Sequence, residues 1–287
     1  MDEFSHTNSI QDQDLIYIVF DNKKRKWLRK VEAGKQFHTD RGYLNYDEII
    51  GREFGSIVLS KPYGHKFFIF KPLPSDIVVN MTRASQIIYP EDIGLILIYT
   101  GIGPGSLVVE AGTGSGSLTG ILGKYVQPDG HIYSYDIRDE AIRQAKKNMK
   151  KLAVEEFVTI TKGDLLTDVK HEDIDVVVLD LATPWIMMEK VHGFLKNSGV
   201  VCSFSPVIEQ VIKTDEALRT SNFHDIKTYE LLKREIRVKF NATRPNSRMV
   251  GHTGYITFAR KVDPYVEPCH VEKCKGQEEI FPFPNDF

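Results

Sequence analysis

The sequence predicts an α/β fold, a mostly parallel sheet wound with helices and preceded by a small β domain. Three observations carry this. From residue 107 onward, apolar strand-like runs alternate with amphipathic helical segments, the pattern of βαβ units. Before residue 75 short β-rich runs are separated by turn residues, with no helical period of useful length. At residue 112 three glycines at alternate positions join an apolar run to a helical one.

In chain order, runs 15–20 and 26–31 are β-rich and separated by Asp21-Asn22. Runs 57–60 and 66–71 flank Lys61-Pro62-Tyr63-Gly64-His65, a hairpin loop. A helix opens at Pro90 and continues through apolar residues to Tyr99, since proline is accommodated in a first turn. Strands follow at 107–111, 131–136, 158–161, 176–181 and 199–205, and helices at 117–125, 138–152, 185–195 and 208–220. Alternation at this spacing gives parallel strands covered on both faces. Two further β-rich stretches, 225–239 and 253–261, have no clear helix between them; they suit an antiparallel hairpin on one edge and bring the sheet to seven strands. Beyond Val262 the chain is rich in proline and acid and reads as a tail. The expected division is 1–75, 76–262 and 263–287.

Composition supports this. At 287 residues, and roughly 150 residues per domain, about two domains are expected. Hydrophobic residues at 41% and charged residues at 26% belong to a folding chain. Three cysteines, an odd number, argue against a secreted disulfide scaffold and for a reducing compartment. No apolar run approaches a membrane span, and the first residues lack the apolar core of a signal peptide, so a cytoplasmic location is expected. The net charge of −2 means that any nucleic-acid surface must be local. Two basic runs qualify: Lys23, Lys24, Arg25, Lys26, Arg29 and Lys30, then Lys233, Arg234, Arg237, Lys239, Arg244 and Arg248. Taken alone, each reads as a solvated hairpin face.

The stretch Val108-Val109-Glu110-Ala111-Gly112-Thr113-Gly114-Ser115-Gly116-Ser117 holds most of the chemistry. Glycines let the backbone turn tightly and let a ligand lie against main-chain atoms. The pattern is G-x-G-x-G, with Ser117 where a dinucleotide fingerprint has its third glycine. Glu110 just before the loop would oppose a pyrophosphate but not a cationic sulfonium, which favours S-adenosylmethionine over NAD. Asp136 ends the next strand, where a carboxylate accepts ribose hydroxyls in either class of enzyme. Asp164 ends the third strand, equally suited to an adenine amino group or to a helix cap.

Asp180 ends the strand after that, ahead of Leu181-Ala182-Thr183-Pro184-Trp185. Ligands of open α/β sheets bind outside the carboxyl ends of the strands, which puts Asp180 beside the glycine loop. Thr183 is the better candidate cap for the following helix. Trp185 reads either as an aromatic wall beside the carboxylate, suited to a planar nitrogen base, or as ordinary helix core.

The combination of Gln86-Ile87-Ile88-Tyr89-Pro90, Glu110 to Gly116, Asp180 to Trp185 and Gly251-His252-Thr253-Gly254-Tyr255 resembles the tRNA (adenine-58-N1)-methyltransferases. The forward segment Gly51-Arg52-Glu53-Phe54-Gly55-Ser56 matches as well, and the resemblance spans about residues 13 to 262. Ala182 stands where the family often has proline. The resemblance implies a Rossmann-like class I methyltransferase fold, with Asp180 as the catalytic carboxylate and Tyr89 lining the target-base pocket. It assigns S-adenosylmethionine to Gln86, Ile87, Gly112, Thr113, Gly114, Ser115, Gly116, Ser117, Leu118, Asp136, Asp164 and Leu165. It also implies tRNA as partner and a tetramer: a homotetramer, or a heterotetramer with a non-catalytic paralogue in a eukaryote, where a nuclear location is an option. In that setting the basic runs become phosphate contacts.

Two alternatives stay open at this point. One is a nicotinamide-dependent Rossmann oxidoreductase, disfavoured by Ser117 and Glu110. The other is a non-catalytic tRNA-binding subunit, which would be expected to have lost the glycine loop or the strand-end acid. Cys269, His270 and Cys274 supply only three zinc-type ligands at irregular spacing, so no metal is expected. Cys202 falls in a buried strand, and His252 in a glycine-flanked turn reads as structural.

Overall fold

In the computed structural model the described residues are 8–21, 25–82 and 86–263. The forward part is an antiparallel sheet of β1 (Leu15–Val19), β2 (Lys26–Lys30), β5 (Ser56–Leu59) and β6 (Lys66–Phe70) in the order β2-β1-β6-β5. A separate hairpin joins β3 (Gln36–Thr39) to β4 (Gly42–Asn45). Ile16, Ile18, Phe37, Leu44, Phe67 and Ile69 close its core. The expected hairpin forms, β5 against β6, and the two β-rich runs either side of Asp21-Asn22 pair as β1 against β2.

Two helices lead into the second sheet, α1 (Pro74–Asn80) and α2 (Pro90–Thr100). Helix α1 has no counterpart in the sequence reading. Seven residues are too few for an amphipathic period, but Pro74 opens the turn and Asp76 accepts the Leu73 N–H at 3.0 Å. The rest is β7 (Leu107–Ala111), α3 (Ser117–Tyr125), β8 (His131–Asp136), α4 (Asp139–Leu152), β9 (Val158–Lys162), α5 (Leu165–Asp168), β10 (Ile174–Leu179), α6 (Met188–Phe194), β11 (Leu195–Ser205), α7 (Ile208–Thr220), β12 (Phe223–Glu230), β13 (Ile236–Arg237), β14 (Arg244–Pro245) and β15 (Tyr255–Lys261).

The large sheet has seven strands in the order β12-β15-β11-β10-β7-β8-β9, and β15 runs antiparallel to both of its neighbours. Successive residues of each central strand enter opposite layers. Val108, Val176 and Val178 pack under α3, while Val109, Val177 and Leu179 pack toward α6. The chain winds from β7 outward to β8 and β9, then returns to β10 and β11 on the other side. The switch point therefore lies between β7 and β10, so the glycine loop and Asp180 meet there.

Three expectations need correction. The helix expected over 185–195 is divided: Pro184–Met187 forms a 3₁₀ turn opened by the proline, α6 covers only Met188–Phe194, and Leu195 already begins β11. Thr183 precedes that turn but makes no side-chain capping bond. The stretch 225–239 is divided too. After β12 the chain leaves the sheet and makes a second, exposed hairpin of β13 against β14, because residues 233–239 have no strand or helix to bury them. Lys23, Lys24, Cys269, His270, Cys274 and the whole segment 264–287 lie outside the described residues.

Candidate active site

The glycine loop reverses direction at the end of β7. Gly112 adopts φ +95°, and a Cβ there would run into the Asp180 carbonyl oxygen, so both the left-handed backbone and the close approach require glycine. The Gly112 N–H donates to the Tyr135 carbonyl at 2.9 Å, and the Asp180 N–H donates to the Ala111 carbonyl at 2.9 Å. Three strand ends are thereby tied together. Asn148 of α4, buried, pins the loop from behind by donating to the Ser115 carbonyl at 2.8 Å. The sequence reading missed this residue; its signal is an amide on the buried face of a basic helix.

Around the loop lies a cleft of two lobes. One, about 230 Å³, is lined by Gln86, Ile87, Ile88, Glu110, Ser117 and Leu118 with Gly112 to Ser115. The other, about 430 Å³, is lined by Asp136, Ile137, Asp164, Leu165, Leu181, Ile186 and Met187 among others. Gly112, Arg138 and Asp180 border both. Most expected site residues thus converge. Gly116 caps α3 with φ +74°. Tyr89 stands at the N-terminal end of α2, half-buried, in the lining of neither lobe. Trp185 is half-buried, and the Lys213 ammonium lies 4.8 Å from its ring centre, so one face of the expected aromatic wall is already covered.

The charged groups divide by depth. Glu110 is 1% exposed and accepts from Thr119 Oγ1 and Ser134 Oγ, each at 2.5 Å. Burial pushes its carboxyl up to about 7, so near neutrality half of its charge is gone. Its expected opposition to a pyrophosphate is correspondingly weaker. Asp180 reaches solvent at the cleft mouth, yet crowding between the strand ends pushes its carboxyl up to about 6. Arg138 opposes that rise and Asp136 adds to it.

Asp136 behaves differently. Burial works to raise it, but hydrogen bonds from Arg138 and Gly114 hold it below the usual carboxylate range. One oxygen accepts from the Arg138 N–H at 2.9 Å and Nε at 3.0 Å; the other accepts from Gly114 N–H and Arg138 Nη2, both at 2.9 Å. A carboxylate has about four acceptor sites, and here protein donors fill them all. Ribose hydroxyls would have to take the place of the Arg138 side chain, a residue the sequence reading did not single out. Asp164 caps α5 by accepting the Leu166 N–H at 2.9 Å, as its helix-cap reading expects, and it also lines the larger lobe.

S-adenosylmethionine fits these residues. The glycine cradle would be filled by any Cβ at Gly112. Ser117 Oγ is buried on the smaller lobe without a hydrogen-bond partner. The larger lobe combines apolar walls with strand-end acids, as a nucleoside needs.

The family model described as the tRNA methyltransferase complex GCD14 subunit matches residues 66–244, and one described as TrmI-like N-terminal matches residues 18–58. The chain belongs to this tRNA methyltransferase family. Among curated members, a tRNA (adenine(57)-N(1)/adenine(58)-N(1))-methyltransferase of Methanocaldococcus jannaschii is 37% identical, over 85% of this chain and 94% of its own length. An S-adenosylmethionine-dependent O-methyltransferase of Thermotoga maritima superposes with a TM-score of 0.83 at 30% identity, covering 91% of this chain and 97% of that one. The tRNA (m1A58) methyltransferase of Aquifex aeolicus superposes at 0.76 with 28% identity, covering 89% and 100%. With this membership the nicotinamide alternative falls away.

Proposed function

We propose that Asp180 and Tyr89 carry the transfer of a methyl group from S-adenosylmethionine to N1 of adenine 58 in tRNA. The chain is an S-adenosylmethionine-dependent tRNA methyltransferase of the adenine-58-N1 class. The observation that carries the residue assignment is the placement of Asp180 at the switch point, bordering both lobes of the cleft. The relative from Methanocaldococcus jannaschii is named for positions 57 and 58, which supports adenine 57 as a second target.

When bound, S-adenosylmethionine supplies an electrophilic methyl group on a cationic sulfonium. Gln86, Ile87 and the loop from Gly112 to Leu118 would hold its amino-acid part in the smaller lobe. Asp136, Asp164 and Leu165 would hold its nucleoside part in the larger one. Adenine N1 already carries an in-plane lone pair, so it needs orientation more than it needs a strong base. Asp180, ionised above about pH 6, accepts from the adenine N6–H and fixes the ring. As N1 becomes alkylated the base turns cationic, and the same carboxylate stabilises the developing charge. Tyr89, just ahead of α2 and in the lining of neither lobe, would meet the target base from that side. The target base must leave its stack to reach this depth.

The proposed division of labour places tRNA contact and assembly on 1–75, methyl transfer together with a further tRNA contact on 76–262, and no assigned role on 263–287. Among the described residues Arg237, Lys239 and Arg244 form no ion pair and line an exposed concavity on the β13–β14 hairpin, suited to phosphates. Arg25, by contrast, is paired with Asp21 and Asp40. The family resemblance supports a homotetramer, and Val238 and Phe240, 80% and 90% exposed, give that hairpin an apolar tip that a second copy would cover. Among the described residues no helix is long and apolar enough to cross a membrane, and no cluster of metal ligands occurs. Incubating the purified chain with labelled S-adenosylmethionine and unmodified tRNA, then mapping the methylated base, tests the reading. Label at N1 of adenine 58 is expected; label only elsewhere, or none, would overturn it.

A further inference from the structure

The turn Gly251-His252-Thr253-Gly254 leads into β15, whose first residue Tyr255 pairs with Ser205 at the carboxyl end of β11. His252 therefore stands on the same rim as the catalytic cleft. Its Nδ1 lies 2.7 Å from Glu230 Oε1 at the end of β12, and its Nε2 lies 2.9 Å from the Pro206 carbonyl just past β11. A backbone carbonyl can only accept, and so can an ionised carboxylate. Both ring nitrogens must then donate, which only the doubly protonated ring can do.

Pro206 leads directly into α7, and α7 holds the loop that follows Asp180. Gln210 Nε2 donates to the Ala182 carbonyl at 2.8 Å, and Lys213 covers Trp185. On the other side of the turn, Thr253 faces the fully buried carboxyl of Asp92, which lies close beyond Tyr89 on α2. The turn thus meets α2 at Asp92 and reaches the loop after Asp180 only through Pro206 and α7.

We propose that His252 is a positioning residue whose imidazolium clamps Pro206 to Glu230 and thereby holds the Asp180 loop in register with the target base. This rests on the assignment of Asp180 above. The groups facing the ring are Glu230 on β12, Asp92 on α2 and the Tyr255 ring on β15, centred 4.8 Å away; beside Asp92, Glu91 is paired with Lys233. The Pro206 carbonyl and Glu230 both favour the protonated ring and raise its pKa above the ordinary histidine value. Deprotonation on the alkaline side leaves one nitrogen facing an acceptor with no hydrogen to give, and the clamp opens.

The test compares wild type, His252→Ala and Glu230→Gln in kcat and KM for tRNA across pH, with S-adenosylmethionine affinity measured by calorimetry. In Glu230→Gln the side-chain amide can accept from the charged ring or donate to the neutral one, so either form bridges both sides. Wild type is expected to lose kcat/KM on an alkaline limb above the ordinary histidine range. Glu230→Gln should keep near wild-type activity and lose that limb. His252→Ala should lie about tenfold lower at neutral pH with unchanged cofactor affinity, as for a lost charge-assisted hydrogen bond. An unchanged limb in Glu230→Gln, or wild-type kcat/KM in His252→Ala, would overturn the proposal. Nitrogen NMR of the His252 ring in the intact protein gives an answer independent of turnover. Two protonated nitrogens at neutral pH are expected, and a neutral ring would contradict the clamp even if the chain methylated a different base.

Discussion

Glu110 and Asp180 are carboxylates raised by the same cause, yet the consequences differ. Glu110 is 1% exposed, at the wall of the smaller lobe, and its hydrogen bonds come from hydroxyls, so its shift acts on stability. Its folded value is about 7 against an ordinary 4.5, so the folded state binds more protons between those values. Stability from this group is therefore lost as pH rises through that window, by about 3 kcal/mol in all. Glu110→Gln should remove that contribution, leaving a melting temperature that falls less between about pH 5 and about pH 8. An undiminished fall would show that Glu110 is not the titrating group. Arg138 makes a different prediction. Its side chain fills the acceptor sites of Asp136 that a ribose would use; it is 57% exposed, but the Asp136 side chain is only 3% exposed, so removing the arginine leaves a buried carboxylate whose missing donors ribose hydroxyls can replace. Arg138→Ala should tighten S-adenosylmethionine binding by about threefold in calorimetry. Weaker binding would mean that the arginine itself supports the cofactor.

At the scale of elements, what was legible depended on periodicity and on burial. The alternation from residue 107 to 220 placed all five parallel strands to within a few residues, because strands buried on both faces read as continuous apolar runs. The glycine loop and Asp180 were legible because the topology of such sheets leaves one place for them. Helix α1 and the β3–β4 hairpin escaped because they are too short to carry a period. Pro184 hid the 3₁₀ turn inside what looked like one helix. Arg138, Asn148 and Ile88 were missed for a further reason: each joins the site only through the fold. Gln86 and Ile87, ahead of Pro90, line the smaller lobe beside the glycine loop, a placement that no local pattern encodes. The exposed β13–β14 hairpin has strand-like composition and no sheet to join, so sequence merged it with β12.

For the whole molecule, a net charge of −2 conceals an uneven surface. Arg237, Lys239 and Arg244 stand together on the exposed hairpin, while Arg25 of the first basic run is already neutralised within the protein. Replacing the three hairpin cations by Gln should weaken tRNA binding and reduce the slope of log affinity against log salt by about two to three, one counterion being released per phosphate contact. S-adenosylmethionine affinity should not move. A slope equal to that of wild type would shift the tRNA footprint to another surface. The proposed methyl transfer turns on one carboxylate at the switch point of the sheet. Its most direct test is single-turnover methylation of adenine 58 by Asp180→Asn, with cofactor affinity measured on the same preparation. Loss of rate by about 10² to 10³, with S-adenosylmethionine still bound as in wild type, is the predicted result; near wild-type turnover would contradict it.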